Sequence, residues 1–126
     1  MAKIEKFEDL ECWQISRKLV KSIYALTVGN AKLARDYGLR DQIQRAAVSV
    51  MTNIAEGFAR YSNREFVNFL IISRGSVAEV KSLLYVIYDM KAIDEKERES
   101  LFSEIEILRM KLNALTSHLR KTAFKK

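Results

Sequence analysis

Proline is absent from this sequence, glycine occurs four times, and cysteine and histidine occur once each. Each shortage excludes something. Sheet proteins of this size need many turns, and turns draw on proline and glycine, whereas long helices need few. A single cysteine, Cys12, forbids an internal disulfide and fits a reducing compartment. A single histidine, His118, leaves no histidine pair for a metal, and the residue three before it is Leu115 rather than the glutamate of a bundle di-iron motif. Long apolar runs are missing too. The longest, 46–55 and 66–73, fall well short of the roughly 20 residues that span a bilayer. The opening residues mix charges and carry no apolar segment of the signal-peptide kind. The expectation is a soluble cytoplasmic protein without cofactor, metal or membrane association.

What is present points to helices. Hydrophobic residues make up 48% of the 126 positions, enough for one core and one domain. Apolar spacing predicts four helices, over about 8–27, 39–60, 62–91 and 94–119, with a basic tail at 120–126 and a helical turn near 32–35. In the first helix Trp13, Ile15, Leu19, Val20, Ile23, Tyr24 and Leu26 share one side; Gln14, Arg17, Lys18, Lys21 and Ser22 share the other. In the last, Leu101, Ile105, Leu108, Leu112, Leu115 and Leu119 recur at alternating spacings of four and three, the seam of a left-handed bundle. Ser62 with Glu65, and Asp94 with Glu97, have the spacing of capping boxes. Short connections after the second and third helices force antiparallel neighbours. The fold predicted is an all-α, up-and-down, left-handed antiparallel four-helix bundle.

The third helix is apolar beyond one stripe. Phe66, Phe69, Leu70, Val77, Val80, Leu84, Ile87 and Tyr88 make the core line, but Val67, Ile71, Ala78 and Tyr85 flank it on one side and Ile72, Leu83 and Met90 on the other. No helix of a four-helix bundle is central, so the extra apolar surface predicts a second subunit.

Catalytic machinery is not apparent. Gly57 and Gly75 lie inside helices and lack the partners of a phosphate loop, and Cys12 beside Trp13 reads as a half-buried structural thiol. Glu56, Glu65, Glu79 and Asp89 are expected to pair with arginines such as Arg45, Arg60, Arg64 and Arg74, with Glu56 and Arg60 spaced i, i+4. Gly57, and Gly75 within Ser73–Ser76, are expected to let neighbouring helices approach closely, since glycine inside a helix costs about 1 kcal/mol relative to alanine.

Net charge is +6, yet residues 107–126 hold six basic residues and no acidic one, leaving sixteen of each sign elsewhere. Part of that excess complements the dipole of the last helix. If nucleic acid is bound, Arg17, Lys18, Lys21, Arg120, Lys121, Lys125 and Lys126 are the candidate phosphate contacts, with Phe124 a candidate stacking residue.

Several blocks together resemble the four-helix-bundle family of 23S rRNA intervening-sequence proteins, also called the S23 ribosomal protein family. They are Phe7 to Gln14 around Trp13, Tyr37 to Ala47 with Gln42, and Asn53 to Gly57 with Glu56 and Arg60. Glu65–Phe66 and Gly75–Ser76 with Glu79 complete the set. Cys12 stands where the family often has valine, and Gln44 where it often has arginine. The resemblance implies a closed homo-oligomer, typically a pentamer, and no defined activity. It leads to a non-enzymatic homo-oligomeric scaffold that binds RNA or a nucleoprotein, with low sequence specificity, through basic surface. The alternative is a structural or protein–protein assembly with no nucleic-acid contact.

Overall fold

The computed structural model of the protein describes residues 4–122. A single 3-10 turn, Phe7–Asp9, leads into α1 (Glu11–Gly29), followed by a short α2 (Ala31–Arg35), α3 (Tyr37–Phe58), α4 (Asn63–Asp89) and α5 (Glu95–Lys121). There is no strand among the described residues, and no helix there is long and apolar enough to cross a membrane.

The four long helices pack in a ring, α1 against α3, α3 against α4, α4 against α5 and α5 back against α1. Neighbours run antiparallel, as pairs of cross-bundle contacts fix. Ser49 meets Ser76 while Gln42 meets Glu79, Arg74 meets Asn113 while Tyr85 meets Phe102, and Glu11 meets Lys111 while Ser22 meets Glu104, which leaves α1 antiparallel to α3 as well. The core between them is built from Leu19 and Ile23 of α1, Ile43, Ala47, Val50 and Ile54 of α3, Leu70, Val80, Leu84 and Ile87 of α4, and Leu108 and Leu112 of α5. Burial of such side chains contributes roughly 1.5–3 kcal/mol each before entropy is charged against it.

Three of the polar residues at core positions are satisfied by their own helices. Ser16, Thr27 and Thr116 hydroxyls donate to the carbonyls of Trp13, Ile23 and Leu112, so small polar groups are buried with their hydrogen bonds made.

Helix ends differ from the sequence reading by a few residues, for local reasons. The first helix starts at Glu11 rather than near Glu8, because residues 7–9 form the 3-10 turn, and Gln14 holds the Glu8 carbonyl at 2.9 Å. The predicted turn near 32–35 is α2, capped by Asn30, whose side-chain oxygen accepts from the amides of Lys32 and Leu33. The same side chain donates to the Ala92 carbonyl at 2.7 Å, tying this connection to the turn between α4 and α5. Leu33 plugs that end of the core. Only half of the expected box forms at Ser62, which accepts from the Glu65 amide, whereas the Asp94–Glu97 box is complete. The α4–α5 turn is a Schellman closure, with the Ala92 amide reaching Ile87 and the Lys91 amide reaching Tyr88. It places Lys91 at φ 64°, a left-handed position usually left to glycine. At the other end, Arg120 and Lys121 belong to the last turn of α5 and not to a tail.

Candidate functional site

Of the residues that carry the family resemblance, the blocks of α3 and α4 meet along the seam between those two helices, while the block around Trp13 lies apart at the start of α1. Ser49 and Ser76 hydroxyls lie 2.8 Å apart, and the Asn53 amide donates to both the carbonyl and the hydroxyl of Ser49. One turn further in, Ser73 donates to the Val50 carbonyl at 2.8 Å. Gln42 reaches Glu79 at 3.4 Å at one end of the seam. At the other, a Cβ on Gly57 would stand 2.7 Å from the Cβ of Phe69 and 2.8 Å from Cδ1 of Phe66. Small side chains bring the two backbones close, and close backbones put serine hydroxyls within reach of one another. Gly57 thus has the packing role read from the sequence.

Three sequence expectations are corrected here. Gly75 is exposed and nothing lies within 4 Å of where its Cβ would be, so Ser73 and Ser76, not the glycine between them, make the α3–α4 contact. Glu56 and Arg60 do not pair: the Arg60 guanidinium lies over the Phe69 ring, 4.6 Å from its centre. The carboxylates of Glu56, Glu65, Glu79 and Asp89 do not meet arginines either; among the described residues the ion pairs are Arg40–Asp41, Arg98–Glu95, Arg109–Glu106 and Lys111–Glu11. Arg60 and Arg74 instead have an aromatic and an amide partner closer at hand. Arg74, for example, donates to the Asn113 side chain at 3.1 Å.

The candidate cations fall into two places. Arg17, Lys18 and Lys21 stand exposed on α1 along a shallow groove with Gln14, Ser22 and Ala25, and Arg17 lies 5.8 Å from the Trp13 ring centre. Trp13 is half-buried and meets Phe7 edge-on. Arg120 and Lys121 flank a second open groove, of about 490 Å³, whose other walls are Arg74, Asn113, Thr116 and Ser117. No carboxylate lines that groove among the described residues. Lys125, Lys126 and Phe124 lie outside the described residues. Sequence reading misses Arg74 as a partner of the C-terminal cations; it lies far from them along the chain, and only the antiparallel α4–α5 pairing brings it alongside.

Apolar surface is left uncovered on two helices. On α4, Ile72 is 53% exposed and Val86 48%, with Ile71 and Tyr85 beside them, whereas Val67 and Leu83 of the predicted flanks are buried in the bundle. On α5, Ile107 and Met110 are 51% and 58% exposed. The signal for the latter pair is in the sequence, since both sit opposite the leucine seam. Tyr85 meets Phe102 edge-on at 5.0 Å, and Arg98 covers Tyr88 and Phe102, so this side of the α4–α5 pair is aromatic and cationic.

Cys12 is buried more fully than expected. Burial pushes its thiol up from 9.0 to about 11, leaving it protonated and a poor nucleophile at neutral pH. No group of three or more potential ligands gathers among the described residues.

No curated protein matches this chain. A solved structure from Bacteroides thetaiotaomicron, described as a protein of unknown function from the S23 ribosomal protein family, is similar in fold, with a TM-score of 0.75 at 20% identity. The likeness covers 84% of this chain and 95% of that one. The sequence from residue 8 to residue 114 matches the 23S rRNA-intervening sequence protein family, so the chain is a member of that family.

Proposed function

We propose that the protein is a non-enzymatic scaffold that assembles with copies of itself and offers basic surface to RNA or a nucleoprotein. The observation that supports assembly is the uncovered apolar surface of α4 and α5, centred on Ile72, Val86, Ile107 and Met110. Soluble monomers seldom leave several such side chains in water along one pair of helices. Five copies is the number the family resemblance implies. Each copy would add the α1 stripe and the Arg74–Arg120–Lys121 groove, and repetition turns weak phosphate contacts into avidity.

Light scattering coupled to size exclusion tests the assembly. The expected mass is several times the 14.6 kDa of the chain, unchanged by nuclease. Ile107→Asp, at a position exposed in the single chain, should lower that mass without melting the fold. A monomer at every concentration overturns the reading. Nucleic acid that co-purifies at low salt and leaves at high salt supports the RNA arm.

A structural assembly without nucleic-acid contact is the second reading. One observation favours it: in the C-terminal basic segment, Lys111 and Arg109 already hold the carboxylates of Glu11 and Glu106. Protein free of nucleic acid at low salt would select it.

A further inference from the structure

The turn between α3 and α4 has no part in the packing just described, yet it holds an aromatic residue almost wholly in water. Tyr61 is 96% exposed, far beyond any other large apolar side chain among the described residues. Arg60 precedes it, and Arg64 follows three residues later in the first turn of α4. Across the bundle end, the Asn63 side chain donates to the Thr122 hydroxyl at 3.0 Å and to the Leu119 carbonyl at 3.5 Å. Thr122 in turn holds the His118 carbonyl. These bonds fix the last turn of α5, with Arg120 and Lys121, beside the first turn of α4. None of Arg64, Arg120 and Lys121 has an ion-pair partner among the described residues.

We infer that the α3–α4 turn and the adjoining end of α5 form a binding site for single-stranded nucleic acid, in which Tyr61 stacks on an unpaired base while Arg64, Arg120 and Lys121 hold the flanking phosphates. This inference rests on the RNA arm of the proposed function and says where and in what form the strand is held. The chemistry selects the ligand. An aromatic ring this exposed offers a flat apolar face to solvent, and an unpaired base has the matching face. Duplex bases have both faces occupied, so a double strand gains nothing from the ring. A protein partner would need a wider apolar surround than this turn provides, since the ring's sequence neighbours are charged or small. The amino end of α4 adds its partial positive charge to that of the three cations. Glu65 in the same turn opposes them, as one negative charge against three positive.

Fluorescence anisotropy with a labelled oligouridylate, across a salt series, tests this on the intact chain. Tyr61→Ala should weaken binding by on the order of tenfold at every salt concentration and leave the salt slope unchanged, because stacking releases no counterions. Tyr61→Phe should bind as the unsubstituted protein does. The double substitution Arg64→Ala with Lys121→Ala should flatten the slope of log affinity against log salt, by about 0.7 for each phosphate no longer neutralised. An unchanged melting curve for Tyr61→Ala checks that the fold is intact. Tyr61→Ala binding as tightly as the unsubstituted protein overturns the site. If binding is then still steep in salt, the RNA arm stands and the strand is held elsewhere, on α1 or in the Arg74 groove. No binding at low salt by the unsubstituted protein overturns the site and the RNA arm together.

Discussion

Cys12 sets a single residue's chemistry against the whole fold. Its thiol titrates near 9.0 in the unfolded chain and near 11 in the folded one, because burial penalises the thiolate. The folded state therefore holds its proton more tightly than the unfolded state between those two values. Stability from this group is fully present below pH 9 and is lost as pH rises from 9 towards 11, by about 2–3 kcal/mol at most. Urea melts at pH 8 and pH 10.5 should show the loss, and Cys12→Val should abolish it while melting normally at pH 8. A drop of equal size in the valine variant would assign the effect to other groups. The thiol should also react with a maleimide only as fast as the chain opens.

At the level of helices, Gly57 and Gly75 make a matched pair of opposite sign. A methyl group at position 57 would collide with the Cβ of Phe69, which cannot swing away as the end of a long side chain could. Gly57→Ala should cost about 1–3 kcal/mol and show as a lower melting temperature. At position 75 the methyl meets nothing, so Gly75→Ala should hold or raise stability by up to about 1 kcal/mol through helix propensity. Equal effects of the two substitutions would contradict the packing account. This pair also marks how far the sequence can be read. Helix number, core line and the α5 seam are legible, because apolar spacing records which face meets the bundle. The side of a helix on which a neighbour lies close is not recorded by composition, so two glycines with the same local look have different surroundings. Arginine partners are misread for a similar reason: i, i+4 spacing offers Arg60 a carboxylate at Glu56, but Phe69 across the seam lies nearer its guanidinium. Of the candidate site, the α1 stripe can be read from one helix. The Arg74 groove and the pinned end around Asn63 need two helices placed side by side.

At the scale of the whole molecule, the bundle has two ends of different character. One carries the Tyr61 turn and the close of α5, with cations facing solvent. The other joins two connections through one side chain, since Asn30 both caps α2 and holds the carbonyl of Ala92. That clamp makes an unlike pair of segments, 62 residues apart in sequence, share one fate when the protein breathes. Opening α2 breaks the bond that steadies the α4–α5 turn, where Lys91 already sits in a strained left-handed position. In native-state hydrogen exchange, the amides of Leu33 and Ala34 should therefore open with the same free energy and the same denaturant dependence as those of Lys91 and Ala92. Asn30→Ala should split the set into two independent units, each opening more easily, while amides at the Tyr61 end keep their protection. A single amide side chain would then be what makes that half of the bundle unfold as one piece and not segment by segment.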